Sequence, residues 1–229
     1  PHFVRLSKEL GSGDPLPEGE RWIAEVMPTT LVFEDRDQVV GYTFVQPLER
    51  TGYVRHVVLG PTHRTRGLGR VVMAAAADFL RAHGCVDWCL NVRPSNTPAV
   101  RLYERCGMRP QFSSQSILLS WSILSELPRV AGGLTTRAIE AEDDVALETT
   151  FDLPRGQLAS HRARAGRVLV GLHSAEAAAP WVAMACFDPR FPGAGTFRVQ
   201  HPELAGPLLE AFRPTALPEH DHLRVMVEA

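Results

Sequence analysis

The stretch Arg64-Thr65-Arg66-Gly67-Leu68-Gly69-Arg70 lies between a β-branched apolar run, Tyr53-Val54-Arg55-His56-Val57-Val58-Leu59, and a long segment with apolar residues at helical spacing. Val72, Ala75, Ala76, Phe79 and Leu80 recur at three- and four-residue steps, and Gly84 stands where such a helix should stop. The preceding run reads as a strand ended by Gly60-Pro61. A strand-to-helix turn points its first backbone N–H groups, with the positive end of the helix dipole, at whatever lies above it. Gly67 and Gly69 carry no side chain to hold a ligand away, and Arg64, Arg66 and Arg70 add positive charge, so the turn suits a pyrophosphate. A plain turn with solvated arginines is the alternative, because Gly-x-Gly alone marks many turns.

About 30 residues later comes Asn96-Thr97-Pro98-Ala99-Val100-Arg101-Leu102-Tyr103-Glu104-Arg105-Cys106-Gly107, which offers a phenol at Tyr103. A dinucleotide-binding βαβ unit would want its glycines after the first strand of the domain and an acid about 20 residues on. Here about 50 residues of other elements come first, and Asp87 falls inside a strand. Taken together, residues 53–108 resemble the acetyl-CoA-binding core of the GCN5-related N-acetyltransferases (GNAT). The family's phosphate loop, Arg/Gln-x-x-Gly-x-Gly/Ala, is matched by Arg64, Gly67 and Gly69; its second signature is matched by Asn96, Ala99, Leu102, Tyr103 and Gly107. The resemblance implies an α/β chain of α+β type: a mixed, mostly antiparallel sheet flanked by helices, the acyl-CoA N-acyltransferase fold.

Composition agrees with a folded chain. It has 229 residues, 45% of them hydrophobic, and a formal charge of −2, which argues against generic binding of nucleic acid or an anionic membrane. No run of about 18 apolar residues and no signal-peptide pattern is present, so a cytoplasmic location is expected. Cys85, Cys89, Cys106 and Cys186 match neither a disulfide framework nor a zinc spacing and read as core residues, with Cys85 and Cys89 on one strand. No metal is expected: His220-Asp221-His222 reads as a polar turn.

The expected element order begins with short helices over 3–10 and 18–26 and an antiparallel meander over 31–34, 39–45 and 52–59. A helix over 69–83, a strand over 86–92, a helix over 97–105 and strands through 111–121 follow. The family would place one more strand before the first helix; here it is missing. Val130-Ala131-Gly132-Gly133 reads as a linker, giving an acetyl-CoA-binding domain over 1–128 and a second, smaller GNAT-like domain over 129–229. The second half offers a strand over 135–139, a helix over 143–151, strands over 168–172, 181–186 and 196–199, a helix over 203–212 and a strand over 223–227. It has His201-Pro202-Glu203-Leu204 where a glycine loop would sit, so it reads as a degenerate copy without cofactor, or as an unrelated extension. The basic segment 161–167 reads as a solvated face.

Acetyl transfer from a thioester to an amine needs a neutral amine, donors for the carbonyl oxygen and an acid for the departing thiolate. The resemblance implies that Tyr103 is that acid and that Asn96 lies near the pantetheine arm. It implies also that the backbone of Val57, Val58 and Leu59 serves the thioester and pantetheine, with the phosphates on Arg64, Thr65, Arg66, Gly67, Leu68, Gly69 and Arg70, and that Ala99 is among the cofactor-binding residues. Taken alone, a helix tyrosine is equally a core residue. The base is the open assignment: His56 is chemically apt, strand alternation should turn Arg55 and His56 to opposite faces, and Glu34 and Glu49 stand in reserve. Arg55 suits an acceptor with a carboxylate or phosphate, or is simply solvated. Two functions follow: an acetyl-CoA-dependent N-acetyltransferase acting by direct attack in a ternary complex, or an acyl-CoA-binding sensor without chemistry. Expected partners are a small-molecule or peptide amine and, at most, a second copy in a homodimer, with no nucleic acid and no membrane.

Overall fold

Two left-handed residues make the first hairpin. Arg36 and Asp37 both take positive φ, 48° and 63°, the twist-matched geometry of a two-residue loop, and so bring Asp35 opposite Gln38. The computed structural model describes residues 2–10, 19–111, 113–120, 133–175, 180–188, 194–212 and 222–228, and the chain divides into two units, 1–110 and 111–229. In the first unit, α1 (His2–Ser7) and α2 (Gly19–Arg21, continued by a π turn over Trp22–Val26) precede three strands, β1 (Thr30–Asp35), β2 (Gln38–Pro47) and β3 (Thr51–Leu59). Helix α3 (Leu68–Ala82), strand β4 (Asp87–Leu90) and helix α4 (Thr97–Arg105) complete it. The sheet runs β1-β2-β3-β4; the first three strands are antiparallel and β4 is parallel to β3. The expected strand before the first helix is not among the described elements, and β1 ends the sheet.

Each sheet face has its own core. Leu6, Val26, Tyr42, Phe44 and Val58 cluster on the α1–α2 face, whereas Val45, Val54, Ala76, Leu80 and Cys85 cluster under α3. Helix α3 can lie this close because Gly52 has no side chain: a Cβ there would sit 2.4–2.8 Å from three atoms of Leu80. The helix ends as the sequence indicates, with Gly84 at φ 82° and the Gly84 and Cys85 N–H groups closing on the carbonyls of Arg81 and Leu80. Cys85 precedes β4 instead of sharing a strand with Cys89; its Sγ lies 3.7 Å from the Leu48 carbonyl oxygen. All four cysteines are free thiols.

The second unit carries β5 (Ser114–Ser120), β6 (Leu134–Ala138), α5 (Asp144–Thr150), α6 (Gln157–Arg162) and β7 (Val168–Ser174). Strands β8 (Trp181–Phe187) and β9 (Ala194–Val199), helix α7 (Ala205–Phe212) and strand β10 (His222–Glu228) follow. Its antiparallel sheet runs β6-β7-β8-β9, and β10 pairs antiparallel with β5. Helix α6 is absent from the sequence-based order because its cap is remote: the buried Glu148 carboxylate accepts the N–H groups of Gly156 and Leu158 at 3.1 and 3.0 Å. The basic segment is not simply a solvated face. His161 is buried with Nε2 3.2 Å from Thr196 Oγ1, and Arg162 makes a two-pronged pair with Asp144 at 2.8 and 2.6 Å. Residues 18, 112, 121 and 130–132, together with His220 and Asp221, fall within the expectations above and lie outside the described residues. Among the described residues no helix is long and apolar enough to cross a membrane, and no cluster of three or more metal-ligating side chains occurs.

Gly52→Val should overpack the β3–α3 contact and destabilise the protein by about 1–3 kcal/mol. Thermal or denaturant unfolding checks this; an unchanged midpoint would contradict the close approach of Leu80.

Candidate functional site

Strands β3 and β4 pair only over Thr51–Val54 and Asp87–Leu90, after which β3 runs on to Leu59 while the chain beyond Leu90 leaves strand conformation. The two strands thus part after Val54. A bulge sits at that point: Phe44 pairs with His56 and Val45 with Val54, so Arg55 is the extra residue. Beyond the bulge, the Gly60 N–H donates to Val40 O at 2.8 Å, which sets the alternation of β3. Peptide groups of His56 and Val58 face β2, and those of Val57 and Leu59 face the open edge. The result is a groove with backbone donors and acceptors along one wall, which an extended chain of amides could pair with.

The bulge also corrects an expectation. Arg55 and His56 do not go to opposite faces. Arg55 Nε and Nη2 donate to Gln46 Oε1 at 3.0 and 2.8 Å and its guanidinium lies 3.8 Å from the centre of the Tyr53 ring. His56 packs edge-on against Tyr42 and Phe44, with Nδ1 3.3 Å from the Tyr42 hydroxyl. Gln46, Phe44 and Tyr42 alternate onto one face of β2, so Arg55 and His56 both stand on the α1–α2 face. Tyr42, Gln46, Tyr53 and Cys89, which pairs opposite Tyr53 on β4, thereby join the site. Nothing short of the register could reveal them, because the strand pattern reads the same with or without the extra residue.

Electrostatics on this face keep most groups neutral. Burial, helped by the Arg55 charge, lowers the His56 pKa to about 4. Burial raises the Tyr42 hydroxyl above its ordinary range and pushes the Cys89 thiol up to about 11, with the charges of Arg55 and Asp87 acting on the thiol in opposite senses. A base whose conjugate acid titrates near 4 is badly matched to an ammonium near 10. Its neutral ring serves as a hydrogen-bond partner instead. Glu34 and Glu49 are both exposed, the former on β1 and the latter between β2 and β3.

At the end of β3, Gly67 is the N-cap of α3 with φ 79°, and no side chain caps the helix. Thr65 also takes a left-handed φ of 60°, and nothing lies within 4 Å of where a Gly67 Cβ would be. The first turn of a 15-residue helix therefore presents its N–H groups to an open cradle. Arg66 and Arg70 are exposed beside it, while Arg64 bridges back to Leu59 O at 3.0 Å and pairs with Glu9. Gly69 has a different duty. A Cβ there would meet Leu102 side-chain atoms at 2.9 and 3.3 Å, so its absence lets α4 pack on the start of α3.

The second segment divides its labour similarly. Asn96 caps α4, its Oδ1 accepting the Ala99 N–H at 3.4 Å. Gly107, at φ 85°, ends the helix: the Gly107 and Met108 N–H groups donate to the carbonyls of Glu104 and Tyr103. Tyr103 is half-buried, and burial holds its phenol protonated by raising its pKa.

Residues 6–108 match the model of the acetyltransferase (GNAT) family. Streptothricin acetyltransferase from Streptomyces lavendulae is 41% identical over 54 residues, 24% of this chain and 29% of that protein. Mycothiol acetyltransferase from Saccharopolyspora erythraea is 34% identical over 92 residues, 39% of this chain and 30% of that one. The chain spans less than a third of the length of these curated relatives. The crystal structure of a GCN5-related N-acetyltransferase from Sphaerobacter thermophilus covers 97% of this chain and 76% of its own, at a TM-score of 0.56 and 18% identity. The chain has the acyl-CoA N-acyltransferase (GNAT) fold, a mixed sheet with helices and a second, antiparallel sheet.

Because the folded His56 value lies below the ordinary 6.5, its contribution to stability is present above pH 6.5 and is lost as pH falls from there towards 4. Unfolding measured from pH 7 to 4 should show this loss, and His56→Gln should reduce the slope. An identical pH dependence in the variant would contradict the buried neutral ring.

Proposed function

We propose that the first unit is an acetyl-CoA-dependent N-acetyltransferase that moves an acetyl group to a primary amine by direct attack in a ternary complex. The observation that carries this reading is the junction of three parts: the β3 edge that opens after Val54, the uncapped α3 N-terminus at Gly67, and α4 locked beside that terminus through Gly69 and Leu102. The residues fit the cofactor. N–H groups of Gly67, Leu68 and Gly69 would hold the pyrophosphate with Arg66 and Arg70, and the Val57 and Leu59 peptides would pair with the pantetheine amides. Bound acetyl-CoA supplies an activated thioester whose thiol, near pKa 8.5, is a fair leaving group.

The chain's own residues then have defined tasks. The β3 bulge orients a strand N–H towards the carbonyl oxygen, stabilising charge as the amine nitrogen bonds to the carbonyl carbon. Tyr103 gives its proton to sulfur as the C–S bond breaks and regains one from solvent. His56 stays neutral, so the ammonium proton leaves to water and the amine attacks from its neutral form. The second proton that nitrogen sheds as the amide forms also passes to water, which returns one to Tyr103. Consequently kcat/KM should rise with pH towards the pKa of the amine, with no limb near 6.5. A limb near 6.5 that His56→Gln removes would show that His56 is the base after all.

The second unit reads as a degenerate copy without cofactor. Strand β6, helices α5 and α6, the meander β7-β8-β9, helix α7 and strand β10 repeat the order of the first unit, with the opening strand included. Pro202–Leu204 forms a 3-10 turn where the first unit has its glycine loop.

Tyr103→Phe should lower kcat about a hundredfold while leaving the Kd for CoA within about twofold, and Arg66→Glu should do the reverse. Thiol release from acetyl-CoA with a pooled amine library, alongside calorimetric CoA titration, distinguishes the two. Tight CoA binding with no amine-dependent thiol release would favour a sensor over an enzyme.

A further inference from the structure

Arg64 opens the glycine loop, yet its guanidinium is committed elsewhere. Nε donates to Leu59 O at 3.0 Å, at the end of β3, and Nη2 donates to the Glu9 carboxylate. Glu9 lies 55 residues away, on the 3-10 turn Lys8–Leu10 that continues α1. Helix α1 is itself fixed over the end of β3: Leu6 is buried in the cluster with Tyr42 and Val58, and its Cδ2 lies 3.8 Å from where a Gly60 Cβ would be. Past Leu59 the chain makes a 3-10 turn over Pro61–His63, then takes left-handed backbone at Thr65 and Gly67, with φ 60° and 79°. A left-handed threonine costs energy and persists only where its surroundings over-determine it. A guanidinium that grips both the strand before the loop and a turn far off in sequence supplies that constraint.

We propose that Glu9 is a positioning residue for cofactor binding: acting through Arg64, it holds the glycine loop in the shape that aims the N–H groups of Gly67, Leu68 and Gly69 at the pyrophosphate. This rests on the transferase reading above. Arg64 is then a brace and not a phosphate ligand, and Arg66 and Arg70 are the cations left for the phosphates. Charge alone predicts the opposite sign, because removing a carboxylate beside an anion site should tighten binding. The Glu9 and Arg64 side chains are 33% and 47% exposed, so water and salt screen that repulsion. Misdirected N–H donors have no such relief, since a hydrogen bond weakens steeply as its angle closes.

The test measures CoA binding by calorimetry, and kcat and KM with two donors: acetyl-CoA, and acetyl-pantetheine, which has the thioester and the amides but no pyrophosphate. Glu9→Ala should raise the CoA Kd and the acetyl-CoA KM about three- to tenfold. It should leave kcat/KM for acetyl-pantetheine as in the parent protein, whereas general damage to the fold lowers both donors together. Glu9→Gln, neutral but still able to accept the guanidinium N–H, should restore most of the affinity. In an Arg64→Ala background Glu9→Ala should add nothing further. A CoA Kd that Glu9→Ala leaves unchanged or tightens, an equal loss with acetyl-pantetheine, or additive losses in the double variant would overturn the assignment while the transferase reading stands. A parent protein that does not bind CoA at all would overturn both.

Discussion

A parallel strand pair that ends early creates everything else of interest in the first unit. Four residue pairs hold β3 to β4, and then a bulge at Arg55 adds twist to one strand as Leu90 ends the other. Pro94, with no N–H to donate, stands a few residues on, before the Asn96 cap turns the chain into α4. The outcome is a stretch of β3 beyond Val54 whose outer edge has no paired strand among the described residues, a costly arrangement unless something pairs with it. Extended amides suit that edge, and a helix N-terminus waits at its end.

The two glycine positions of the loop illustrate how a motif can carry several physical duties. Gly67 supplies a left-handed backbone and an open cradle; Gly69 supplies closeness between helices through Leu102. Likewise Asn96 and Gly107 start and stop α4, so most of that signature builds and aims a helix. Tyr103 is the member whose phenol no cap or turn requires, which is why its chemistry stands out.

Much of this was legible in the sequence. The order of elements from α1 to α4, the stop at Gly84 and the strand-to-helix turn at Gly67 all follow from local rules of periodicity and turn chemistry. What was not legible depends on register or on distant partners. The bulge at Arg55 cannot be read from a β-branched run, and it reverses the expectation that Arg55 and His56 part company. The low pKa of His56 comes from burial among aromatic rings contributed by β2, far from it in sequence. Helix α6 and the interior place of His161 depend on Glu148 and Thr196, which no local pattern announces.

The central claim is that the parted β3 and β4 strands form the cofactor's bed, with Tyr103 at its reactive end. A crystal structure with bound CoA tests it most directly. The account predicts the pyrophosphate on the N–H groups of Gly67 to Gly69, pantetheine amides on Val57 and Leu59, and sulfur within hydrogen-bond reach of the Tyr103 hydroxyl. CoA bound elsewhere, or sulfur remote from Tyr103 with the pyrophosphate in place, would contradict it.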